Sequence, residues 1–189
     1  MHENGSRISE VFSPSQWSES LIMMCGLPFA GKTTLARQIA ALCQWAYISL
    51  DAINGEYGVG LHGQAITTAQ WERTYAEAYR RVSATLPRQS VVYDETNFLR
   101  QQRDLLRRIA AQVGVPASVL YVATSEAEAR SRWQRNRITH ERGDVRGGDF
   151  WNVVRRFERP AADENMVPFD PTIPLAAWLA RTFPGAAPV

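Results

Sequence analysis

Lysine is almost missing from this chain. Of its 21 basic side chains 20 are arginine, and the one lysine is Lys32. Guanine-specific switches carry an Asn-Lys-x-Asp signature, and no second lysine exists to build it. Cysteine is also scarce. Cys25 and Cys43 are the only two in 189 residues, so they read as small core residues of a chain in a reducing cytoplasm and not as a disulfide framework. The three histidines, His2, His62 and His140, are too scattered to suggest a metal site. No apolar run approaches the ~18 residues that would cross a bilayer. A formal charge of +2 gives no basic coat for nucleic acid. The first 20 residues are polar, with Glu3, Glu10 and Glu19, and lack the basic and apolar regions of a signal peptide. They are expected to form a loose extension, residues 21–183 one domain, and Pro184-Gly185-Ala186-Ala187-Pro188, within 184–189, a frayed tail.

What is present begins around the single lysine. Gly26-Leu27-Pro28-Phe29-Ala30-Gly31-Lys32-Thr33 has the spacing G-x-x-x-x-G-K-T of the phosphate-binding P-loop, followed by Thr34. Its glycines let backbone N–H groups curl around a polyphosphate, and the helix that follows aims its positive end at the same anion. Lys32 would reach the β/γ-phosphates and the Thr33 hydroxyl would hold Mg²⁺. The flanks agree with the motif. Leu21 to Cys25 reads as a buried strand, and Leu35, Ile39 and Leu42 recur at helical spacing. These residues point to nucleoside triphosphate binding.

Further along, Trp45 to Ser49, Ser90 to Asp94 and Ser118 to Ala123 read as strands. Residues from Asp51 to about Thr67 read as a loop. Thr67 and Gln70 have capping-box spacing ahead of a core-facing stripe of Trp71, Tyr75, Tyr79, Val82 and Leu86. Leu105, Leu106, Ile109 and Val113 mark a helix stopped by Gly114 and Pro116. Ser125 and Glu128 make a second capping-box pair for a helix to about Arg137. Strands alternating with helices predict an α/β fold of three layers, a parallel sheet covered on both faces. Gly58-Val59-Gly60-Leu61-His62-Gly63 fits the dinucleotide fingerprint, but that fingerprint must leave a strand and open a helix, so it reads as a substrate-side loop.

Ligands in such sheets gather outside the carboxyl ends of the strands. Asp51 lies just past the second strand, where a carboxylate can accept the proton of an attacking hydroxyl. Asp94 ends the third strand in the Walker B manner, near Mg²⁺ or its waters. Asn97 and Arg100 follow, and would contact an acceptor or lock the crevice. Nine arginines fall between Arg130 and Arg159. Arg132, Arg135 and Arg137 run into a polar stretch with Gly143, Gly147 and Gly148, and residues 138–148 are predicted to form a lid whose arginines neutralise transferring charge.

Taken together, Gly26 to Thr34, Asp51, Val91 to Asn97, Arg132 to Arg142, and Phe157-Glu158-Arg159-Pro160 with Asp163-Glu164 resemble the small bacterial AAA-type P-loop kinases. That group is related to polynucleotide 5′-hydroxyl kinase domains, chloramphenicol phosphotransferases and zeta-toxin kinases. The resemblance implies four or five strands in the order 2-3-1-4, with ATP and Mg²⁺ as phosphoryl donor. It also implies Asp51 at the acceptor hydroxyl and Arg132, Arg135 and Arg137 in the lid. Relatives acting on polynucleotide ends commonly carry Arg three residues after that Asp, whereas this chain has Asn54. The expectation is therefore a cytoplasmic kinase for a hydroxyl on a small molecule or nucleotide. A polynucleotide 5′-hydroxyl kinase and an ATPase switch without an acceptor are the alternatives.

Overall fold

The computed structural model describes residues 20–60 and 64–183; the expected extension through residue 19, the tail from 184, and His62 lie outside the described residues. Strands β1 (Leu21–Cys25), β2 (Ala46–Ser49), β3 (Val91–Asp94), β4 (Ala117–Tyr121) and β5 (Met166–Pro168) form one sheet. Every pairing is parallel and the order is β2-β3-β1-β4-β5, which is the expected order with its fifth strand added. In β1, Leu21, Met23 and Cys25 join one core and Ile22 and Met24 the other, all fully buried. A central parallel strand has no solvent face, which is why its sequence is an unbroken apolar run.

On the first face lie α2 (Leu50–Glu56), α3 (Thr68–Thr85) and α4 (Arg100–Gln112), contributing Ile53, Val82 and Leu106. The second face is covered by α1 (Lys32–Cys43) and α7 (Leu175–Thr182), through Leu35, Ile39, Trp178 and Leu179. A smaller cluster around Trp133 and Phe150 joins α5 (Glu126–Thr139) to α6 (Gly147–Arg156).

Three expectations are corrected. The segment from Asp51 is not a loop throughout, because α2 starts directly after β2 and buries Leu50, Ile53 and Asn54. A helix this short gives too little periodicity to read, and its Asn and Gly hide it further. The Thr67–Gln70 capping box is complete, but Ser125–Glu128 is only half of one. Ser125 Oγ accepts from the Glu128 N–H at 3.2 Å, while the Glu128 carboxylate turns to Arg132. Finally, Gly147 and Gly148 belong to the first turn of α6, where burial of Phe150 outweighs glycine's poor helix propensity.

One buried ion pair ties the end of the chain to its beginning. The fully buried guanidinium of Arg103 donates to both oxygens of Glu164, at 2.6 and 3.0 Å, and to the Asn97 carbonyl at 2.8 Å. Asn97 Nδ2 in turn donates to the Met24 carbonyl at 2.7 Å. Breaking one partner leaves a buried charge uncompensated, so Glu164→Gln is expected to cost about 3–5 kcal/mol, read as a lowered urea midpoint. Burial alone would raise the Glu164 pKa, but the Arg103 hydrogen bond and the Ala161 N–H outweigh it and hold the group below its ordinary 4.5. A carboxyl depressed by folding stabilises above its unfolded pKa and loses that contribution as pH falls through the folded value. The wild type should therefore lose stability on acidification below about pH 4.5, and Glu164→Gln should lack that component.

Candidate active site

The loop between β1 and α1 is shaped by its glycines. At Gly26, φ is +152° and a Cβ would sit 2.7 Å from the Val122 carbonyl oxygen, so no side chain fits. Gly31, at φ +101°, turns the chain into α1, whose N-terminus has no side-chain cap. The first N–H groups of α1 are left for an anion. Lys32 is buried, and its Nζ donates across the loop to the Leu27 carbonyl at 2.8 Å. Burial lowers its pKa, while the charges of Glu95 and Asp94 resist the shift. Pro28 and Ala30 are buried; Leu27, Phe29 and Thr33 are half-buried, and Thr34 is exposed.

Across from this loop, the carboxyl ends of β2 and β3 present acids. Asp94 closes β3 opposite Ser49, and its Oδ2 accepts a 2.6 Å hydrogen bond from the Tyr47 hydroxyl. Burial, with that bond, pushes the Tyr47 hydroxyl up to about 12. Asp51 sits in the first turn of α2, reachable by solvent but crowded by neighbouring groups. Loss of water raises its pKa first, and the Asp94 charge adds to the rise, against Lys32 and Arg37. Asn54 is turned away from the crevice and buried, accepting from Thr74 Oγ1 at 2.7 Å. Asn97 and Arg100 both lock structure: Asn97 as described, and Arg100 through Asp163 and Asp104 on the surface.

Of the three expected lid arginines, one reaches the phosphate loop. Arg132 Nη1 donates to the Phe29 carbonyl at 3.2 Å, and the same nitrogen is the nearest neighbour of a Cβ built on Gly31, at 4.0 Å. Arg137 instead stacks over Trp133 at 5.5 Å, and Arg135 is exposed. Arg142, hidden among the nine, donates to Thr34 Oγ1 at 3.3 Å. It is aimed by buried Asn136, whose side chain bonds both the N–H and the carbonyl of Arg142. The arm is seated on the loop by an apolar contact. The stacked Trp133 and Phe150, 4.7 Å apart, gather Leu27 and Phe29 around them.

Glu95, the residue after Asp94, goes unassigned by the strand-end pattern, which gives a part only to Asp94. Burial, then the Asp51 charge, raises the Glu95 carboxyl to about 6. Glu95 lies one residue past β3, and its charge is felt by Tyr93 and by Tyr75 and Tyr79 of α3.

Strand, glycine loop, uncapped helix and strand-end carboxylates define a P-loop nucleoside triphosphate-binding domain. Residues 21–160 match the AAA domain family, and the chain belongs to it. No curated protein matches it in sequence. Solved structures show the same fold. Kti12 of Chaetomium thermophilum, in complex with ADP-AlF3, is 23% identical at a TM-score of 0.69, covering 88% of this chain and 99% of that one. A gluconokinase from Sinorhizobium meliloti is 22% identical at 0.58, covering 90% and 92%. The Mycobacterium tuberculosis APS kinase, in complex with AMPPNP and APS, is 13% identical at 0.62, covering 88% and 96%. The resemblance to AAA-type P-loop kinases is thus borne out in family and fold. Among the described residues, no helix is long and apolar enough to cross a membrane.

Proposed function

We propose that this protein is an ATP-dependent cytoplasmic kinase that transfers the γ-phosphoryl group to a hydroxyl of a small molecule. The observation that carries the reading is Asp51, a carboxylate at the mouth of the phosphate crevice with a raised pKa and no ion-pair partner among the described residues. Such a group suits proton acceptance from an attacking hydroxyl better than structural pairing. In the proposed step the acceptor oxygen bonds to the γ-phosphorus and the bond to the β–γ bridging oxygen breaks. ADP departs, and the hydroxyl proton passes to Asp51. Lys32 exchanges the Leu27 carbonyl for the phosphates, and Arg132 offsets equatorial charge from above the loop.

The donor set fits Mg²⁺. The Thr33 hydroxyl and Asp94 carboxylate are hard oxygen ligands, and among the described residues no three His, Cys, Asp or Glu side chains gather into a chelating group. Mg²⁺ characteristically takes one or two protein oxygens and completes its shell with waters and substrate phosphates. Bound there, it would neutralise charge on the β- and γ-oxygens.

A polynucleotide acceptor is less well supported, because Asn54 is buried against Thr74 and leaves no cation on that turn. The likeness to Kti12 with ADP-AlF3 supports an ATPase reading as the second possibility. A radiolabelled γ-phosphate transfer screen against nucleosides, sugars, antibiotics and 5′-hydroxyl oligonucleotides tests the proposal. Transfer to a small hydroxyl compound is expected. Steady ATP hydrolysis with no acceptor labelled would favour the ATPase.

The arm makes a separate prediction. Arg132→Ala should lower kcat by roughly 10²-fold with a smaller change in ATP affinity, while Arg135→Ala and Arg137→Ala stay within about three-fold of wild type. Equal small losses at all three would leave the arm without a catalytic part.

A further inference from the structure

The crevice has two sides, and only one is used by the reaction described above. Asp94 looks toward α1 and Tyr47. The Glu95 charge is felt by Tyr75 and Tyr79 of α3 and by Tyr93 as well as by Lys32, and neither the P-loop nor the strand-end pattern gives it a task. Its two hydrogen bonds, from the Thr96 N–H at 2.9 Å and the Thr96 hydroxyl at 2.8 Å, both fall on Oε1. Oε2 has no hydrogen bond or ion pair among the described residues.

The groups on α3 and β3 that feel this charge, Tyr75, Tyr79 and Tyr93, are aromatic. Trp71, Tyr75 and Tyr79 climb α3 with ring centroids 5.9 Å apart at each step, and Tyr79 stacks on Tyr93 at 6.4 Å. Trp71 and Tyr75 keep part of their surface open. The Tyr93 hydroxyl is fully buried, feels the Glu95 charge, and has no hydrogen-bond partner among the described residues. A buried hydroxyl without a partner is costly and demands an explanation. Nearby charges do not complete the site. Asp51 repels Glu95, and Lys32 is the cation that the phosphates will claim.

A carboxylate with a free oxygen, an unsatisfied hydroxyl and π faces together make a receptor for an ammonium group. We propose that Glu95 and Tyr93 bind a protonated amine on the acceptor, so that the substrate class is an amino alcohol, aminosugar or aminocyclitol. This rests on the kinase reading for the hydroxyl that is phosphorylated, but the amine site is a binding claim with its own readout. Acceptors bearing phosphate or carboxylate near the reacting hydroxyl are repelled by the same groups.

The test uses matched pairs that differ in one amine: D-glucosamine against D-glucose, scyllo-inosamine against scyllo-inositol, and ethanolamine against ethylene glycol. Binding to the full chain with ADP and Mg²⁺ is measured by calorimetry, and transfer with labelled ATP in parallel. At least one amine should bind about ten- to a hundred-fold tighter than its partner, the value of one charge-assisted hydrogen bond. Glu95→Gln should erase that preference while the neutral partner of each pair binds as it does to the wild type. Tyr93→Phe should weaken the amine several-fold, whereas a purely structural hydroxyl would leave binding unmoved. If no amine outbinds its hydroxyl partner, or if both variants keep the preference, the ammonium site is overturned. Amine preference without transfer to any acceptor leaves this site standing and removes the kinase reading. Transfer to neutral acceptors with no amine preference does the reverse.

Discussion

Lys32→Ala is expected to yield a folded protein whose phosphoryl transfer falls by about 10³-fold or more. The loop keeps its path because Gly26 and Gly31 set it, and Lys32 adds only one bond to it, Nζ to the Leu27 carbonyl at 2.8 Å. Burial lowers the Lys32 pKa, which means that the charged form costs folding free energy, so removing the group should leave the melting temperature unchanged or raised. Lys32→Arg should fail as well. The guanidinium is planar and wide, whereas the ammonium buried at this position is a compact head group. Circular dichroism and a γ-phosphate transfer assay check both variants. Wild-type-like turnover in either would remove the loop from the mechanism.

Asp51→Asn carries the second large effect, a loss of roughly 10²–10⁴-fold in transfer with ATP–Mg²⁺ binding retained. Asparagine keeps the shape of the first turn of α2 and removes the charge that receives the proton. Asp51 lies in the first turn of α2 and not in the phosphate loop, so ATP–Mg²⁺ binding should persist. Asp94→Asn should show the converse, weaker metal-dependent binding, because it disturbs an oxygen that Tyr47 orients at 2.6 Å. Calorimetric nucleotide binding beside labelled transfer separates the two. An Asp51→Asn protein that transfers at the normal rate would sink the role given to Asp51.

The layers and strand order were legible because parallel strands buried on both faces leave apolar runs, and the P-loop fixes which of them is central. Asp51 and Asp94 were legible for the same reason, since strand ends are easy to find. The arm was legible only as a composition. Nine arginines announce positive charge, but a spacing cannot say that Arg132 meets the Phe29 carbonyl while Arg137 folds back on Trp133. That choice is made by the Trp133–Phe150 stack, a tertiary contact between two helices of which α6 was unread. Arg103 was equally hidden. In sequence it is one more polar residue of an amphipathic helix, and its buried partner Glu164 stands 61 positions away.

The contact between the arm and Leu27 and Phe29 reaches beyond this protein's chemistry into its history. The P-loop signature leaves these two positions open, as if any side chain would serve. Here they are pinned, because their side chains join the Trp133–Phe150 cluster and the Phe29 carbonyl, on a residue at φ +62°, receives Arg132. Positions 27 and 29 should drift across relatives only in step with positions 133 and 150. A change confined to one member would tilt the arm and misplace its arginine without touching a single residue of the motif. The variable letters of the signature are then where lineages of this fold record which arm they carry.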